Sequence, residues 1–267
     1  APNPFGILPV GHDEHALALD KVRYVGDNVA CVAAISESIA EKALDLIDVE
    51  YELLPAYFDP EDSIKAEKDL IHDNKPHNLE KDYHHAFGDP DKGFADADYV
   101  HEARYIANEV THAAMEPHSA HAQFDKESGR LTIWVANDAP FRALHEITEA
   151  LGMPKEKIRF INPLQGGGFG SKGGLKVEPI AVALAFHTNG RPVRVKFNRE
   201  ETFISTLTRH EAVVYSKSGV KKDGTLMARE MTIYWGAGAY AEKSPTVCIR
   251  GSLPAPGPYR IPHVKVD

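Results

Sequence analysis

The sequence predicts an α+β fold with mixed sheets, and three observations carry that reading. Short runs such as Leu131-Thr132-Ile133-Trp134-Val135 and Thr232-Ile233-Tyr234-Trp235 alternate at strand period. Apolar residues recur at helical spacing in three places, around 39–47, 141–151 and 177–184. Between the last two, a strand-like segment (157–161) leads into the glycine-rich run Gln165-Gly166-Gly167-Gly168-Phe169-Gly170-Ser171-Lys172-Gly173-Gly174.

Taken in order, residues 22–35 are β-branched and apolar around a Gly26-Asp27-Asn28 turn and predict two strand segments. Ser36 caps a helix whose inner face is Ile39, Ala40, Ala43, Leu44 and Ile47. Residues 49–53 alternate as a strand that stops before Pro55. Residues 59–92 are polar, carry Pro60, Pro76 and Pro90, and predict a linker or surface excursion. Strands are then expected at 98–107, 118–124 and 131–135. Asn137 or Asp138 caps the next helix, with Pro140 in its first turn, an inner face of Phe141, Leu144, Ile147, Thr148 and Leu151, and Gly152 as its stop. A second helix runs from about Leu175 to His187, with Val177, Ile180, Ala181 and Leu184 inward and Asn189-Gly190 beyond it. Residues 193–197 form a strand, and 209–219 with 225–235 form a hairpin about Lys222-Asp223-Gly224.

Composition narrows the function classes. The net charge of −9 argues against a broad nucleic-acid surface. No apolar run reaches roughly 18–20 residues, so no membrane span is expected. No signal peptide is visible, and a cytoplasmic location is expected. The opening Ala1-Pro2-Asn3-Pro4 lacks an initiator Met, and the expectation is a piece of a longer polypeptide. Two cysteines, Cys31 and Cys248, form no C-x-x-C pattern, which argues against a cysteine-ligated cluster or zinc site within the chain. The histidines His84-His85, His112, His118 and His121 lack zinc-protease spacing and an accompanying acid cluster.

The glycine run is the chemical signal. Strand, glycine loop and helix N-terminus present unpaired backbone N–H groups to a phosphate or another electron-rich ligand. The phosphate-loop pattern is not met, because Gly174 stands where its lysine belongs. Residues 168–173 match the letters of a dinucleotide fingerprint, but no acidic residue follows at the expected distance. Ser171 has no sequence feature that would supply a base. A structural turn, a nucleotide-phosphate site in a transferase and a cofactor wall all remain open on the residues alone.

The segment Gly166-Gly167-Gly168-Phe169-Gly170-Ser171-Lys172 resembles the G-G-G-F-G-G-K loop of the molybdenum hydroxylases, the relatives of xanthine dehydrogenase, aldehyde oxidoreductase and hydroxybenzoyl-CoA reductase. Four further blocks are similar to that family: Val22–Ala30, Ala40–Leu44 with Val49–Ala56, Met115-Glu116-Pro117-His118 and Arg199-Glu200-Glu201-Thr202-Phe203. The resemblance implies a piece of the molybdopterin-binding large subunit. Residues 1–60 would be the later part of an α/β hammerhead domain, 61–92 a linker, and 93–267 part of the first molybdopterin-binding domain. It implies Gly167, Gly168, Phe169 and Gly170 as cofactor contacts. Asp138 stands where some members carry a glutamine near the cofactor, and reads either as a plain helix cap or as a cofactor-proximal acid.

Further expectations follow from the resemblance. The cofactor is molybdopterin, in a dinucleotide form. The partners are the rest of the molybdopterin domain, an iron–sulfur subunit, an FAD subunit and a small-molecule substrate, with neither nucleic acid nor membrane. The reaction is hydroxylation, or in one branch reductive dehydroxylation, of an aldehyde, N-heterocycle or aromatic CoA thioester. The style of residues 22–56 and 259–263 resembles the hydroxybenzoyl-CoA reductase branch. Gly173 stands where xanthine-specific members carry a glutamate, which disfavours a purine. The family's general-base glutamate is expected outside this chain, so no catalytic or metal-ligating residue is assigned within it. A non-catalytic module that binds no cofactor alone is the competing expectation.

Overall fold

The computed structural model describes residues 3–6 and 11–267. In chain order its elements begin with α1 (Glu37–Leu44), α2 (Pro60–Ser63), β1 (His85–Phe87), α3 (Pro90–Ala95), β2 (Tyr99–Ala107), β3 (Val110–Thr111), β4 (Ser119–Asp125) and β5 (Arg130–Val135). They continue with α4 (Pro140–Leu151), β6 (Ile158–Ile161), α5 (Glu178–Ala185), β7 (Val193–Lys196), α6 (Arg199–Ser205), β8 (Thr208–Arg209), β9 (Ala212–Val220), β10 (Leu226–Trp235), α7 (Ser244–Ser252) and β11 (His263–Val266). Two compact units form, one from Ala1–Leu53 with Thr111–Arg209, the other from Leu54–Val110 with His210–Asp267. The mixed α/β class expected from the sequence is the one observed.

The first unit is built on a four-stranded sheet in the order β6-β5-β4-β7. Here β5 pairs parallel with β6 and antiparallel with β4, and β4 pairs antiparallel with β7. The alternation of β5 explains its place: Leu131, Ile133 and Val135 are buried, and the residues between them are half-buried. Helix α4 packs Ala143, Ile147 and Ala150 into the same core and ends at Gly152, whose φ of 61° an L side chain adopts only with strain. Phe141, expected on the inner face, is 87% exposed. Helix α5 is shorter than the expected 175–187 span, yet Ser171 through Val182 are all buried, so the chain enters the core before it becomes helical.

The strands expected over 22–35 and 49–53 do not form. The turn between the first two does, with Asp27 N–H donating to Tyr24 O at 3.2 Å. A strand exists only when a neighbour satisfies its row of N–H and C=O groups. Ala18 N–H donates to Asn28 O at 2.7 Å, and no ladder continues from that bond among the described residues. Helix α1 forms after Ser36 as expected, but it buries none of its residues, and Ile39, Leu44 and Ile47 stay exposed.

The second unit carries a five-stranded sheet in the order β1-β11-β10-β9-β2, antiparallel except between β10 and β11. The expected hairpin is β9–β10, closed where Gly224 N–H donates to Lys221 O at 2.9 Å. The segment expected as an excursion, 61–92, contributes β1 to this sheet and holds most of α2 and the start of α3. Two Asp-Pro pairs start those helices: Asp59 accepts from Glu61 N–H at 2.7 Å and Asp89 from Lys92 N–H at 3.1 Å. Helix α7 and strand β11 are not expected from the sequence.

Helix α3 lies so close to the sheet that a Cβ on Gly93 would stand 2.8 Å from Ala228 Cβ and 2.9 Å from the Met227 carbonyl oxygen. The helix-propensity gain of Gly93→Ala is smaller than this clash against backbone. Urea unfolding of Gly93→Ala is expected to show a loss of roughly 1–3 kcal/mol. A neutral or stabilised variant would contradict the packing.

Candidate functional site

The glycine loop leaves β6 and descends into the core of the first unit. Four neighbouring segments hold it. From the entry to β4, Glu116 N–H donates to Gly166 O at 3.1 Å, and Glu116 Oε2 accepts from Gly166 N–H at 2.8 Å and from the Lys172 ammonium. His118 Nε2 lies 3.2 Å from Ser171 O. From the β5–α4 connection, Asp138 Oδ2 accepts from Gly170 N–H at 2.9 Å, Asp138 Oδ1 accepts from the Gln165 amide, and Asp138 N–H donates to Lys172 O at 2.9 Å. From α4, the Arg142 guanidinium donates to Gly173 O. From the start of α6, Arg199 donates to Ala114 O at 2.7 Å and to Met115 O at 2.8 Å, fixing the chain that carries Glu116. That helix is itself closed by a reciprocal cap between Asn198 and Glu201.

Both edges of the loop are therefore tied, and its tip is not. The N–H groups of Gly167, Gly168 and Phe169 have no hydrogen-bond partner among the described residues. Gly167 and Gly170 have φ of 100° and 105°, which glycine alone adopts without strain. At Gly168 the neighbours are side-chain ends: a Cβ there would lie 2.0 Å from Asp138 Oδ1 and 2.1 Å from Gln165 Nε2 and would displace that pair. Phe169 is 76% exposed at φ 56°, and Met115 and Leu164 are more exposed still.

Beneath the loop lies a polar layer. Lys176 donates to Glu14 at 2.7 Å in a pair that is almost fully buried. Asn137 donates to Glu178 Oε1 at 3.1 Å and to Gly174 O at 3.4 Å, and accepts from Ala139 N–H at 2.8 Å. Burial pushes the Glu178 carboxyl up, against the bonds it accepts from Lys176 N–H and Asn137. Burial also raises Glu116, but the Lys172 and Gly166 hydrogen bonds outweigh it and hold this carboxyl below its ordinary value. The His118 imidazole is driven down to about 4 by burial, the Ser171 carbonyl opposing weakly.

The structure gathers all five sequence-nominated residues, Asp138, Gly167, Gly168, Phe169 and Gly170, at one place. Asp138 is not the cap of α4: that position is Ala139, with no side-chain cap bond, and the Asp138 carboxylate is turned to the loop instead. The sequence does not nominate Glu116, Gln165, Lys172, Arg142 or His118, although Glu116 and Lys172 stand inside two of the similar blocks. The donor set fits a molybdopterin group: free backbone amides at a tip whose single side chain is Phe169 can donate to its oxygen and sulfur atoms.

Residues 71–267 match the family described as molybdopterin cofactor-binding domain, and residues 2–55 that described as aldehyde oxidase and xanthine dehydrogenase, a/b hammerhead domain. The nicotinate dehydrogenase large molybdopterin subunit of Eubacterium barkeri is 36% identical over 99% of this chain, which spans 61% of that protein. The xanthine dehydrogenase molybdenum-binding subunit of Escherichia coli O157:H7 is 33% identical over 89% of this chain, which spans 31% of that protein. Among solved structures, the aldehyde oxidoreductase from Desulfovibrio gigas superposes with a TM-score of 0.88 at 26% identity, covering 99% of this chain and 30% of the other.

The His118 result sets a pH dependence. Its folded pKa lies below the unfolded value near 6.5, so the unfolded chain binds the extra proton first. Stability from this residue is complete above pH 6.5 and is lost as pH falls toward 4. Chemical unfolding of wild type and His118→Gln at pH 7 and pH 4 is expected to show wild type losing up to roughly 3 kcal/mol more than the variant. Equal losses would show that His118 is not held neutral.

Proposed function

We propose that this chain, which belongs to the molybdenum hydroxylase family, is part of the molybdopterin-binding subunit of a molybdenum-dependent oxidoreductase. The observation that carries the reading is the tip of the glycine loop, three free amides between two tied edges. Gly167, Gly168, Phe169 and Gly170 are the proposed cofactor contacts, and Asp138 is proposed to set the loop against the group. When bound, the cofactor supplies two-electron redox chemistry. This chain's residues bind and orient it, and the bare tip lets backbone approach where a side chain would intervene.

The proposed organisation keeps 1–60 as hammerhead and 93–267 as molybdopterin-binding domain; of the 61–92 connection, the part from 71 onward falls within the match to that domain and supplies β1 of its sheet. A dinucleotide form of the pterin, an iron–sulfur subunit, an FAD subunit and a cytoplasmic location complete the proposal. The clusters are placed on other subunits because the chain has two cysteines and no C-x-x-C pattern, and the flavin is placed there by the family resemblance. No helix among the described residues is long and apolar enough to cross a membrane. For the substrate, relatives named for nicotinate and xanthine favour an N-heterocycle, with an aldehyde next. Gly173 disfavours a purine, and an aromatic CoA thioester is the third class that a turnover screen should include.

The test is metal analysis of the complete subunit. Wild type is expected to hold about one molybdenum per subunit, and Gly167→Val almost none. A β-branched residue is excluded at φ 100°, and its Cβ would stand 3.1 Å from the Phe169 ring. Wild-type molybdenum content in Gly167→Val would refute the loop assignment, and a metal-free wild type would favour the non-catalytic module.

A further inference from the structure

The two ends of the glycine loop meet at a single atom. Glu116 Oε2 receives the Gly166 N–H from the first turn of the loop and the Lys172 ammonium from its last. Lys172 is 2% exposed, and Glu116 is its ion-pair partner among the described residues. Glu116 cannot drift, because its own N–H is bonded to Gly166 O and Arg199 grips the two preceding carbonyls. The three free amides lie inside the ring that this carboxylate closes, at 167–169.

We propose that Glu116 is a positioning residue that closes residues 166–172 into a ring and so holds the Gly167, Gly168 and Phe169 amides in their binding geometry before any cofactor arrives. The proposal rests on the cofactor reading above. Its rival is a plain ion pair whose work is to neutralise a buried lysine. The two differ in what they need from residue 116. Neutralisation needs a negative charge. Ring closure needs an acceptor for Gly166 N–H.

Removing both charges separates them. Glu116→Leu combined with Lys172→Met leaves no buried charge unpaired, and such apolar replacements of buried pairs often preserve stability. It also leaves Gly166 N–H without its acceptor. In the complete subunit we expect a Tm close to wild type, at least tenfold faster hydrogen exchange at the Gly166 and Gly170 amides, the two bonded donors at the edges of the loop, and molybdenum content below about one fifth of wild type. Wild-type exchange and wild-type molybdenum in this double variant would overturn the proposal. Should the double variant not fold, Glu116→Gln and Glu116→Ala decide the matter. Both lose the charge, but only glutamine keeps an acceptor, so Glu116→Gln should retain severalfold more molybdenum and slower exchange than Glu116→Ala. Equal behaviour of the two would overturn it. Failure of the cofactor reading looks different: wild type itself would lack molybdenum, while the exchange comparison would still report on the ring.

Discussion

The seating of the glycine loop in the first unit depends on one buried ammonium, Lys172. A buried ammonium left without an anion costs several kcal/mol. Glu116 answers from the entry to β4, a strand that the sheet itself holds between β5 and β7. The loop between is too short to relax elsewhere. Its carbonyls at Ser171, Lys172 and Gly173 are taken by His118, Asp138 and Arg142, from three separate segments. The ion pair therefore fixes the depth of the loop, and hydrogen bonds to its backbone fix the orientation.

The same arrangement explains a sharp gradient in burial. From Ser171 onward twelve consecutive residues are buried, whereas Leu164 and Phe169 just before them are largely exposed. A backbone can make that passage only if its polar groups are met on the inner side. They are met by side chains: Asn137 donates to Gly174 O, and Glu178 accepts from Lys176 N–H and from Asn137 under an otherwise apolar helix start. At 167 and 170 the dihedral angle demands glycine, and at 168 a side chain would push aside the Asp138–Gln165 pair.

Where a signal is local, the sequence carries it. The alternation of β5, the stop at Gly152 and the Gly224 turn each depend on a few neighbouring residues, and each is found. The strands expected at 22–35 fail because apolar, β-branched composition reports a tendency to pair, not the presence of a neighbour. The Asp-Pro starts of α2 and α3 are legible in the sequence, but the same residues also punctuate loops. The site is half legible. Glycines and Phe169 announce themselves by type, and Asp138 only through the family resemblance, since its place before Pro140 reads as a helix cap that it does not supply. Glu116 and Lys172 are 56 residues apart, and nothing in their spacing says that they share an oxygen.

Phe169 shows what the tied edges make possible. A non-glycine residue at φ 56° costs about 1–3 kcal/mol, and an isolated loop would relieve it by turning to negative φ. Here relief is blocked, because Gly168 O is held by Ser171 N–H at 2.9 Å and by the Ser171 hydroxyl at 2.8 Å, while Gly170 N–H is held by Asp138. The bonds on both sides thus keep Phe169 strained and leave its ring in solvent beside Gly167. An exposed aromatic in a strained backbone, next to three unspent donors, is a surface that gains by being covered. Apolar area and hydrogen bonds are then satisfied by the same ligand, with little ordering cost left to the loop.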